Sequence, residues 1–206
     1  MDLTLAAGAR EFFSFIARET PDWSLAAVEA PIGDVTRALV ARLAPAGWET
    51  DVGSKRIPPA RKPCFVLQLR GHPWCLVLRT LAWVDPDAME AVREDAQALS
   101  EELRTDALAF TGEHASARIH YALFRGGAAL EEAEWEGEEL CRFRSELRGR
   151  PKGPLGPQVV VDLLFRERRL YLPTFSLDSD GGQMWLALKR LPVSAVERAD
   201  FLALRR

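Results

Sequence analysis

The chain is poor in the residues that most often announce a chemistry. Among its 206 residues are only three cysteines, three histidines and four lysines. Cys64, Cys75 and Cys141 form no Cys-x-x-Cys pair and are widely spaced, so they give no zinc knuckle. Cys64 and Cys75 each sit in an apolar run and read as reduced core thiols. No run approaches the length of a membrane span, and nothing at the start resembles a secretory signal. A cytoplasmic protein is therefore expected. No Gly-x-Ser-x-Gly elbow occurs, and no glycine pair precedes a Lys-Ser or Lys-Thr, so nucleophile-elbow and phosphate-loop signatures are missing.

Arginine is abundant where lysine is not, at 23 residues to four, which points to a GC-rich bacterial source. The formal net charge is −3, so no broad basic field for nucleic acid is expected. The basic loop Lys55, Arg56, Arg61 and Lys62 has no stacking aromatic beside it and reads as solvated. A chain this long buries roughly 70% of the surface its unfolded form exposes, enough to fold without staples.

Glycine carries the clearest structural signal. Arg125-Gly126-Gly127-Ala128 joins two strand-like runs, residues 117–124 and 129–136, and Gly-Gly suits the positive φ angles of a type I′ or II′ hairpin. Gly137-Glu138 then turns the chain toward Cys141–Ser145, completing a meander. Residues 64–69 and 74–81 are nearly continuous apolar runs, as strands covered on both faces require. Met89, Val92, Ala96, Leu99 and Leu103 recur at helical steps after Pro86, and Val35, Leu39 and Leu43 do so after Asp34, the expected N-cap. Further helices are expected over 4–18, docked through Phe12, Phe13, Phe15 and Ile16, and over 158–169. Weaker strands are expected over 23–29, 108–111, 184–191 and 200–204.

These elements predict a single α+β domain over 1–206, a mainly antiparallel twisted sheet of about six to eight strands carrying about three to five helices. Residues 53–63 and 150–157, rich in proline, glycine and basic residues, are expected to be flexible loops.

Few polar groups converge in sequence. Glu113, His114 and His120 could supply a two-histidine, one-carboxylate metal site, but six strand residues span about 20 Å, beyond one ion's reach. No metal and no cofactor is therefore expected. Asp178-Ser-Asp-Gly-Gly182 resembles the opening of a calcium loop, yet its later ligand positions are wrong and a turn is expected. His72 stands near Cys75, but Cys75 opens an apolar strand, where a thiol stays protonated.

Charge is segregated instead. Six glutamates occupy 131–139 and five basic residues occupy 142–152, facing each other across the expected meander. Trp135 lies among those glutamates, either turned inward while they point out or standing as an aromatic in a charged rim of the kind found at interface hot spots. The sequence thus predicts a non-catalytic protein-binding domain, an immunity or antitoxin type of partner, binding through Trp135, Glu131, Glu134, Arg142 and Arg144. Two other readings stay open. One is a small hydrolase or transferase drawing on His72, His114, His120, Glu113 and Asp162; the other is a structural subunit of a homo-oligomer.

Overall fold

The computed structural model describes residues 22–53, 55–58, 60, 62–79, 86–113, 118–150, 164–165, 167–171, 174–189 and 193–204. The helix expected over 4–18, the loop 151–157 and most of the helix expected over 158–169 lie outside them.

Nine strands form one antiparallel sheet. In chain order they are β1 (Asp22–Val28), β2 (Gly47–Glu49), β3 (Pro63–Leu69), β4 (Cys75–Leu78), β5 (Asp106–Glu113), β6 (Arg118–Arg125), β7 (Ala128–Glu136), β8 (Glu139–Ser145) and, last in the chain, β11 (Val196–Ala203). Their spatial order is β2-β11-β3-β4-β1-β5-β6-β7-β8. A separate hairpin pairs β9 (Thr174–Asp180) with β10 (Gln183–Lys189). Two helices are found among the described residues, α1 (Ile32–Leu43) and α2 (Pro86–Leu103), fewer than the three to five expected. Neither is long and apolar enough to cross a membrane.

The central strands follow a β-α-β-β-α-β path, β1-α1-β3-β4-α2-β5, with order β3-β4-β1-β5. Both crossovers put their helices on one face. There Ala26, Val28, Cys64, Val66, Cys75, Val77, Ala107 and Phe124 meet Val35 and Leu39 of α1 and Val92, Ala96 and Leu99 of α2. The other face presents the alternate positions, among them Leu25, Phe65, Leu67, Leu76, Leu78 and Phe110. It is covered by Leu164, Phe165 and Leu170 and by Met184 and Leu186 of β10. Cover on both faces is why β3 and β4 read as unbroken apolar runs. It also explains β1, which looked weak because Ala26 and Ala27 are small, yet lies at the middle of the sheet.

Local chemistry departs from expectation at the start of the first helix. Helix α1 begins at Ile32 with Pro31 at the N-cap position, and Asp34 sits inside the first turn, paired with Arg37 at 3.0 Å. The cap comes from elsewhere: the Ile32 amide donates to Oε1 of Gln68 on β3 at 3.0 Å. Within the basic segment after β2, two described residues meet the β9–β10 hairpin. Ile57 is buried and bridges Met184 of β10, exchanging backbone hydrogen bonds of 2.9 Å, while Arg56 lies over the Trp185 ring at 4.8 Å.

The Gly126-Gly127 turn has φ of 55° and 82°, the positive pair that type I′ demands, and it joins β6 to β7, which with β8 lie beyond the central strands. These three strands and the outer side of β5 position the site.

Candidate functional site

On the helix face, side chains of β5 to β8 line up in rows set by register. Thr111 pairs with His120, His120 with Glu134, and Glu134 with Arg142, one residue from each successive strand. The next row is Ala109, Ala122, Glu132 and Arg144. Paired residues share a face, so both rows look toward α2. Helix α2 lies across β1, β5 and β6 and reaches β7, but Ala109 and Ala122 are too small to fill the space under its first turns. A cleft of about 500 Å3 opens there, walled by Met89, Glu90 and Arg93 of α2 and rimmed by Arg118 and Arg142. That volume lies in the range of small-molecule sites.

Thr111 lies on the floor. It is only 4% exposed, and its hydroxyl has no hydrogen-bond partner among the described residues. An enclosed hydroxyl left unpaired costs about 1–3 kcal/mol.

His120 stands beside it, with Nε2 3.5 Å from Glu134 Oε1, too long for a firm hydrogen bond. Burial pushes the imidazole below the ordinary histidine range. Glu134 pulls it back up, while Arg118, Arg93 and Arg142 push it further down. The ring is therefore neutral near pH 7, ringed by three guanidinium groups. Glu132 is buried in the cleft wall, with Oε1 2.5 Å from Arg93 Nη1 and Oε2 3.7 Å from Arg142 Nη2. The Arg93 contact is close but not aligned as a hydrogen bond, an ion pair with little directional hold.

The residues expected to bind a partner divide between the two faces. Glu134, Arg142 and Arg144 belong to the helix face, and the two arginines are exposed. Trp135 and Glu131 point the other way and are both 0% exposed. Strand alternation turns every second residue of β7 inward, and the opposite face is covered, so the tryptophan among glutamates is a core residue. Glu131 accepts hydrogen bonds from Ser145 and Arg148 at 2.7 Å each and from the Tyr121 hydroxyl at 3.3 Å, with Arg168 at 3.6 Å. As folded, neither Trp135 nor Glu131 can touch a docking protein.

Of the weak metal candidates, His114 lies outside the described residues, Glu113 ends β5 in register with Arg118, and His120 lines the cleft. No three histidine, cysteine, aspartate or glutamate side chains converge to hold a metal among the described residues. His72 and Cys75 do not form a dyad. His72 Nε2 accepts from the Tyr171 amide at 3.0 Å and its Nδ1 faces the Trp74 carbonyl at 3.3 Å, whereas Cys75 donates to the Ala30 carbonyl and burial pushes its thiol up to about 12. Asp162 lies outside the described residues.

Thr111, Arg93, Glu132 and Arg118 were not singled out from the sequence. Only the even spacing of Glu132 and Glu134 hinted that some glutamates of β7 share one face. No protein-family model, curated protein or solved structure matches this chain.

Proposed function

We propose that this chain is a small-molecule-binding domain whose ligand occupies the cleft between α2 and strands β5 to β8. The observation that carries the reading is the enclosed Thr111 hydroxyl, unpaired at the floor of the cleft beside a neutral imidazole. Buried polar groups are normally satisfied, and a ligand atom supplies what the protein leaves open. Convergent polar side chains over a small apolar floor are the usual composition of a ligand pocket. The expected protein partner loses its aromatic anchor with the burial of Trp135, leaving Arg142, Arg144 and the half-buried Glu134 as its accessible contacts.

The test is a thermal-shift screen of small polar molecules against the full chain, followed by calorimetry. A ligand at a hundred times its dissociation constant adds about 2.7 kcal/mol to stability. A true occupant raises Tm in the wild type and loses its effect in Thr111→Val and His120→Ala. Hits that stabilise both variants as well as the wild type, or the absence of any hit, would sink the proposal.

A further inference from the structure

The charges around the cleft say what kind of ligand it accepts. Three cations and three anions line it: Arg93, Arg118 and Arg142 against Glu90, Glu132 and Glu134. Arg93 and Glu132 are matched to each other at the wall. The remaining four are loosely held. Arg118 is 51% exposed and stands 3.5 Å from Glu136; Arg142 is 64% exposed and stands 3.7 Å from Glu132. Glu134 has only His120 within ion-pair distance, and Glu90 makes no ion pair, among the described residues.

A ligand carrying one net charge would answer either the two loosely paired arginines or the two glutamates, but not both sets. A ligand of zero net charge that carries both signs answers all four. Resting on the small-ligand reading of this cleft, we propose that it takes a small zwitterion of the amino-acid type. Its carboxylate lies toward Arg118 and Arg142, its ammonium group toward Glu134 and Glu90, and the Thr111 hydroxyl is bonded from below. The guanidinium fork suits a carboxylate, and a carboxylate pair suits an ammonium group's three donors.

The experiment is calorimetry on the full chain with free amino acids, their N-acetyl derivatives and their C-terminal amides. The N-acetyl compounds lack the cation and the amides lack the anion. The expected result is binding of a free amino acid with a loss of about tenfold or more for both of its blocked forms. Glu134→Gln should shrink the penalty for N-acetylation, and Arg142→Gln the penalty for amidation. Both side chains reach solvent, so the fold tolerates the changes. Either blocked form binding as tightly as the free amino acid overturns the proposal, as does discrimination unchanged in both variants. If no amino acid binds while another compound stabilises the protein through Thr111, the zwitterion is wrong and the cleft remains a small-ligand site. If nothing binds, both readings fall.

Discussion

Glu131 and Glu132 are neighbours in the chain and lie on opposite faces of the sheet, each enclosed and each matched to arginine. Glu131 meets Arg148 at 2.7 Å on the face covered by Leu164, Phe165 and Leu170, and Glu132 meets Arg93 at 2.5 Å on the helix face. The first ties the chain beyond β8 to the sheet; the second closes the wall of the cleft. The same side chain at adjacent positions therefore does two separate jobs.

Their loss should be unequal. Glu131→Ala leaves the Tyr121 hydroxyl and the shielded Arg168 facing an empty site, and breaking a buried pair from one side costs about 3–5 kcal/mol. Glu132→Ala frees Arg93, a partly exposed side chain that water can reach, and costs less. Urea denaturation of the two variants checks the order; equal midpoints would contradict it.

Trp135→Ala should act as a core deletion. Truncating a fully enclosed tryptophan costs about 3–5 kcal/mol. Its indole N–H has no partner among the described residues, so Trp135→Phe removes an unmet donor and keeps most of the ring, at well under half that cost. Chemical denaturation decides. A Trp135→Ala protein as stable as the wild type would place the residue at the surface after all.

Stability should fall on mild acidification. Burial is the first cause that holds both His72 and His120 below the ordinary histidine range. Between those depressed values and about pH 6.5 the unfolded chain binds more protons than the folded one, so the histidine contribution is complete above that pH and is lost as pH falls through the folded values. For His72 burial outweighs the backbone hydrogen bonds to Trp74 and Arg169, which pull the imidazole back up. Urea midpoints measured from pH 7.5 to 5 should decline in the wild type and flatten in the His72→Gln, His120→Gln double variant. Parallel curves would refute the assignment.

Gly127→Ala should be costly for its size. Gly127 has φ of 82° in the turn from β6 to β7, and an added Cβ would stand 3.0 Å from the Glu101 Cβ of α2. Positive φ alone makes Gly→Ala destabilising by more than about 1 kcal/mol, and the contact adds to it. Gly137→Ala, with positive φ but open space, gives the comparison: the difference in Tm between them reports the contact.

The meander was legible from its glycines, and helix α2 and strands β3 and β4 from their apolar spacing, because those signals are local. The centre of the sheet was not. Strand β1 owes its place to two crossovers, and its alanines give no strong strand signal. The cap of α1 was missed because its acceptor, Gln68, is 36 residues away from Ile32. The cleft was illegible for a related reason. Thr111, His120, Glu134 and Arg142 are brought together only by the register of four strands, and the space exists because Ala109 and Ala122 are small where α2 passes over them. The charged neighbours of Trp135 suggested a partner anchor as well as an inward-facing side chain, and strand parity, not neighbours, decides which way it points.

Strands β6, β7 and β8 stand outside the β-α-β-β-α-β path and supply most of the cleft's polar side chains. The cleft thus sits on strands added beside the central architecture, which they join along β5, along α2 from its first turns to Glu101, and through core residues such as Phe124 and Trp135. Glu134 and Arg142 reach solvent at the cleft, so side chains there can be exchanged while the interior that folds the chain stays as it is, and the chemistry of the cleft can be varied apart from the fold.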